Sequence, residues 1–245
     1  MATTERVLGV LGGMGPAATV DFLAKLVAVT DVANEQDHLR VLVDSNPKVP
    51  DRNRALAGTG ESPGPALAAM ALGLQHAGAT LLVMACNTAH AFEPAIRDAI
   101  DVPFVSIVTE TCDAFEREHP QASRVGLLAA QGALDAGLYQ RAFAARGHQV
   151  LLLDAQRQRD FMALVYRVKL GDVSPLARAA TRTLAESLVG DGADVVVAAC
   201  TEVPLLVDDG ELSRPLLDPT TNLARRCVRY ARGLEPLPAS SFPRR

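Results

Sequence analysis

A chain of 245 residues with 49% hydrophobic and 21% charged side chains has the make-up of a folded globular protein, with length for one large domain or two smaller ones. A formal net charge of −4 and the lack of any dense Lys/Arg run argue against nucleic acid and anionic membranes as partners. The start "MATTERVLGVLGG" has no basic segment leading into a signal-length apolar core, so a cytoplasmic protein is expected. Four cysteines without a C-x-x-C pair are expected as free thiols.

"RVLGVLGG" reads as a strand ending in glycine, and Pro16 opens a helix predicted to turn Val20, Leu23, Leu26 and Val27 inward. "LRVLVD" is a second strand. Ser62 and Pro63 start a helix burying Leu67, Met70, Ala71 and Leu74, and "ATLLVMAC" is a third strand. Such alternation predicts an α/β fold, a parallel sheet covered by helices.

The pattern then restarts. "SRVGLLAAQG" resembles "ERVLGVLGGMG", "HQVLLLDAQ" resembles "HLRVLVDSN", and "GADVVVAAC" repeats "GATLLVMAC" with Gly, Ala, Val, Ala and Cys in register. Two copies of one α/β unit are the economical reading. The second copy carries a helix with Phe161, Leu164, Val165 and Val168 on one face. Another starts at Ser174-Pro175, with Leu176, Ala180, Leu184 and Leu188 on one face. A last helix, capped by Asp218 with Pro219 at its first position, runs through Leu223, Cys227 and Tyr230. The proline-rich tail 234–245 is predicted to be disordered.

Ligands of open parallel sheets bind at the carboxyl ends of the strands, where Cys86 and Cys200 both fall. A thiol just before a helix amino terminus is shifted toward thiolate by peptide N–H groups and the helix dipole. Cys112 and Cys227, on apparent helix faces, read as small core hydrophobes. For the matched pair, zinc binding by Cys86, His90, Cys200 and Glu202 is one alternative, although helical spacing of Cys86 and His90 is not assured at a strand end. A single-cysteine nucleophile is another, but it does not call for a second equivalent thiol. Proton transfer at both faces of one carbon does: one thiolate removes a proton and an opposing thiol delivers another.

These residues carry a resemblance. "LGGMGPAAT" (11–19), "SNPKVPDR" (45–52), "CNTAH" (86–90), "VKLGDV" (168–173) and "ACTEVPLL" (199–206) resemble the aspartate/glutamate racemase family, in its aspartate-racemase-like branch, over about 1–233. The resemblance implies two similar lobes related by pseudo-twofold symmetry, with the site between them. One lobe is 1–107 plus a returning helix at 218–233, the other 108–217. It further implies cofactor-independent racemisation of aspartate, glutamate or a related acidic or modified amino acid by Cys86 and Cys200, without metal, in a homodimer. Asn87, Thr88 and Thr201 would hold substrate, Arg52 and Lys169 would bind carboxylate or tune the thiols, and Glu202 would assist the second cysteine.

Chemistry supports these roles separately. Without a cofactor ring to take up the Cα carbanion, cations and N–H donors must stabilise charge on the carboxylate, and the planar Arg52 fork suits that task. Gly12, Gly13 and Gly15 would let backbone approach substrate with Met14 as a wall, and His90 would be a hydrogen-bonded support. One stretch departs from the family. Where hydroxyl residues are usual, "LLAAQGALDAGLY" has Ala130, Ala133 and Ala136, which makes Gln131 and Asp135 candidates for a compensating substrate contact. Competing functions are another two-cysteine reaction (maleate-type isomerisation, hydantoin racemisation or decarboxylation) and binding of a small molecule without turnover.

Overall fold

The computed structural model describes residues 6–238, whose strands form two separate four-stranded sheets. The chain divides into two units, one spanning 1–107 with 220–245 and the other 108–219.

The first unit runs β1 (Leu8–Gly12), α1 (Pro16–Ala28), β2 (Val41–Ser45), α2 (Arg52–Leu56), α3 (Gly64–His76), β3 (Leu81–Met84), α4 (Glu93–Arg97) and β4 (Phe104–Val105). Its strands pair in parallel in the order β2-β1-β3-β4. From Ile107 the chain enters α5 (Ile107–Glu118). The second unit then follows with β5 (Arg124–Leu127), α6 (Gln131–Asp135), α7 (Leu138–Ala144), β6 (Gln149–Leu152), α8 (Ala155–Lys169), α9 (Pro175–Gly190), β7 (Val195–Val197) and β8 (Leu216–Leu217). Its order, β6-β5-β7-β8, is also parallel throughout. The last helix, α10 (Pro219–Ala231), belongs to the first unit apart from its opening Pro219. Each unit has its own apolar core: Leu11, Leu67, Leu82, Met84 and Phe104 in the first, Phe161, Leu164, Leu188 and Val196 in the second.

The duplication is visible in packing. Gly9 in β1 lies so close to Leu74 of α3 and to Ala79 and Leu82 that an added Cβ would come within 2.3 Å of Leu82. Gly126 in β5 makes the same approach to Leu188 of α9 and to Ala193, at 3.0 Å. A strand glycine without a side chain lets the covering helix settle onto the sheet in both units.

Several predicted faces differ from those observed. In α1 the buried residues are Ala18, Thr19, Phe22 and Leu26, whereas Val20 and Val27 are 66% and 59% exposed. The aromatic Phe22 sets the inward direction, and the two valines lie on the side of the helix turned to solvent. In α9, Ala177 and Thr181 are buried and Leu176 is exposed, because the inward arc begins one residue later. The strands β4 and β8, two residues each, had no periodicity to announce them. Part of the predicted disordered tail is held down: Arg226 and Arg229 both donate to the Glu235 carboxylate. Residues 239–245 lie outside the described part.

Candidate active site

In the first unit, buried β3 delivers Ala85 and Cys86 to its carboxyl end, where Cys86 is 5% exposed and Asn87 and Thr88 are buried beside it. The chain then enters a 3₁₀ turn, Thr88–Phe92, that carries His90. His90 Nδ1 lies 2.8 Å from the Cys86 carbonyl oxygen, while its Nε2 accepts from the Ile107 N–H at 3.2 Å. Because Nε2 must be an acceptor, the proton is assigned to Nδ1, which donates to Cys86. Burial lowers the imidazole pKa, so the ring is a neutral strut between the Cys86 loop and the strand end after β4. With both ring nitrogens engaged, His90 has no lone pair left for zinc.

Arg52 opens α2, a short helix capped by Asp51, whose carboxylate accepts from the Arg54 N–H. The helix packs against the turn that follows Cys86. The Arg52 guanidinium is buried and donates to the carbonyls of Val49 and Pro50 at 3.2 and 3.0 Å, and among the described residues no carboxylate pairs with it. A buried, oriented guanidinium with spare donors has the chemistry to receive a carboxylate. Met14 is buried in the same core cluster as Val49 and Cys86. Gly13 has φ +88°, and a Cβ there would lie 2.4 Å from the Asn46 backbone, so the loops after β1 and β2 can meet only through a glycine.

In the second unit, Cys200 stands three residues beyond β7, also 5% exposed. Its Sγ donates to Glu202 Oε2 at 3.0 Å, and the Thr201 hydroxyl donates to the same oxygen at 3.3 Å. The expectation that the fold shifts this thiol toward thiolate is corrected. Burial raises the Cys200 pKa well above the usual thiol range, the Glu202 charge raises it further, and Lys169 opposes both. The physical reason is local: the chain continues into a three-residue 3₁₀ turn, Val203–Leu205, with no long helix to supply a dipole. Lys169 is the last residue of α8, with its ammonium 5.8 Å from the Tyr166 ring centroid.

Gln131, first residue of α6, is exposed and bonded through its side chain to Asp135 at 2.7 Å, so these two candidates for substrate contact satisfy each other along one helix. Ala130 and Ala133 are buried and Ala136 half-buried. Tyr139, also buried, pairs with the Thr111 hydroxyl at 3.3 Å. Sequence reasoning had overlooked Thr111 because its helix, α5, carries no motif.

The model of the Asp/Glu/hydantoin racemase family matches residues 11–227. The chain belongs to that family. Its members are enzymes, isomerases that racemise amino acids and related compounds. The racemase relatives include the broad specificity amino-acid racemase RacX of Bacillus subtilis, 26% identical over 226 residues that cover 91% of this chain and 96% of the relative. Among solved structures, Picrophilus torridus aspartate racemase superposes with a TM-score of 0.84 at 27% identity, covering 92% of this chain and 94% of that one. Glutamate racemase from Francisella tularensis shares the fold, with a TM-score of 0.69 at 15% identity over 96% of this chain and 85% of its own. No described helix is long and apolar enough to cross a membrane.

Proposed function

We propose that the protein racemises aspartate or a related acidic amino acid without a cofactor, by proton transfer between Cα and the two thiols Cys86 and Cys200. The observation that carries this reading is the matched position of the two cysteines. Each lies buried just beyond the third strand of its parallel sheet, β3 and β7, in units of identical strand order. Racemisation needs a base on one face of the carbon and an acid on the other, and a duplicated thiol meets that need with one group per unit.

The remaining groups take complementary roles. Arg52 receives the α-carboxylate and stabilises the enediolate-like charge that builds there as the Cα proton leaves. Asn87, Thr88 and Thr201 supply short polar contacts for substrate. Glu202 holds the Cys200 proton at 3.0 Å and is placed to take it when that thiol must act as base. Lys169 favours the thiolate and keeps the step from stalling on a sulfur that burial has made reluctant to ionise. Homodimeric assembly in the cytoplasm belongs to the same reading through the family likeness.

The test is solvent deuterium uptake at Cα with L- and D-aspartate, for the wild type and for Cys86→Ser and Cys200→Ser. Each variant should lose racemisation by at least about 10³-fold, and retain at most washout from one enantiomer. Full racemisation by both variants would overturn the two-thiol reading, and turnover only of uncharged amino acids would overturn the acidic substrate.

A further inference from the structure

At the opposite end of the first sheet from Cys86 lies a cavity of about 800 Å³ that the proposed reaction does not use. That is within the range that holds a small organic ligand. Its floor is the amino-terminal edge of β1 and β3, where Arg6 and Thr80 sit. One wall is the 3₁₀ turn Glu35–Asp37 with His38 and Leu39, and the other is the end of α10 and the residues after it. The five residues of β1 separate it from the Cys86 end by about 17 Å.

Two guanidinium groups line this cavity. Arg6 donates to the Tyr230 carbonyl and Arg232 to the Asp31 carbonyl, and among the described residues neither meets a carboxylate. The one acid in the lining, Asp37, accepts through Oδ2 from the backbone and side-chain nitrogens of Asn34 and offsets part of the positive charge of the two guanidinium groups. The carbonyl contacts fix each guanidinium while leaving most of its five N–H donors for a ligand. The lining also carries the polar Gln36, His38 and Thr80, and its apolar part is Ala231, Leu39, Leu237 and a Leu234 that is 62% exposed. The ion pairs of Glu235 with Arg226 and Arg229 hold the segment bearing Leu234 and Leu237 in place.

We infer that this cavity is a second binding site, taking a small organic anion whose carboxylate or phosphate group meets Arg6 and Arg232 and whose hydrocarbon part lies on Leu39, Leu234 and Leu237. Two fixed guanidinium groups against one carboxylate leave a positive excess that selects the charged head, and the leucines select against a bare inorganic ion.

The experiment is calorimetric titration of the full chain with decanoate, decyltrimethylammonium and inorganic phosphate, with hydrogen exchange read on the same samples. Decanoate should bind and slow exchange in 34–39 and 231–237. Arg232→Gln should weaken it at least tenfold with racemase activity unchanged, and Leu234→Ser should weaken decanoate but not phosphate. Equal binding of the cationic probe, protection elsewhere, an unaffected Arg232→Gln, or no binding of any probe would overturn the site. Phosphate binding as tight as decanoate would overturn its apolar half.

Discussion

The Cys200 thiol donates to Glu202 at 3.0 Å while the charge of Lys169 acts on the same sulfur with the opposite sign. The thiol is therefore poised between an anion that holds its proton and a cation that favours its loss.

Replacing Glu202 by Gln removes a negative charge that raises the Cys200 pKa, so the thiol becomes easier to ionise. The pH–rate limb belonging to this thiol should move to lower pH, while kcat falls roughly 10- to 100-fold because the proton acceptor is lost. A profile that stays in place in Glu202→Gln would mean that the carboxylate is not coupled to the reacting thiol.

Lys169→Gln should move the same limb the other way. Without the ammonium, burial and the Glu202 charge are opposed only by the Glu202 backbone N–H, so ionisation of Cys200 is displaced to higher pH. Measuring both variants under one buffer series checks the pair, because a general structural disturbance has no reason to give shifts of opposite sign.

Arg52→Ala should reduce kcat/KM by about 30- to 10³-fold, the cost of about 2–4 kcal/mol expected for losing charge-assisted bonds to a carboxylate. Arg52→Lys should recover only part of this, since an ammonium cannot match the two oxygens as a planar fork does. Steady-state kinetics in both directions measure the loss.

His90→Ala removes two buried hydrogen bonds, one from the Ile107 N–H and one to the Cys86 carbonyl. Destabilisation of about 3 kcal/mol is expected in denaturant unfolding. Because the imidazole is held neutral and engaged on both sides, the pH–rate profile of the remaining activity should keep its shape.

Cys112, fully buried in α5, has its thiol pKa pushed from 9.0 up to about 12 by burial. Its thiol form is favoured in the folded chain, so its contribution is complete below pH 9 and is lost as pH rises toward 12. Folding stability should fall by up to about 1.4 kcal/mol per pH unit over that window. Cys200 acts in the same direction. In chemical unfolding at several pH values, Cys112→Ala should flatten the decline.

The chain's organisation was legible where long apolar runs ended in chemistry. β1, β3 and β7, and β5 beyond its exposed Arg124, are buried on both faces, so they read as continuous hydrophobic segments, and the second set echoes the first in sequence. The inward face of α8 was equally plain, since Phe161, Leu164, Val165 and Val168 are all buried at helical spacing. In α1 apolar residues surround much of the helix, and periodicity alone could not tell Val20 from Phe22. At the candidate site, residue types pointed to Cys86, Cys200 and Arg52 as candidates, but not to the electrostatic sense at Cys200. That sense depends on Glu202 folding back on the sulfur and on the brevity of the turn after it, neither of which a motif encodes.

The close approaches at Gly9 and Gly126 give each half its own lock between strand and helix, and each half closes its own core. A loop rewritten in one half therefore leaves the strand–helix lock of the other half intact. An engineer seeking new substrates can rewrite 128–139 in one module while treating the other, with Arg52 and Cys86, as inherited hardware.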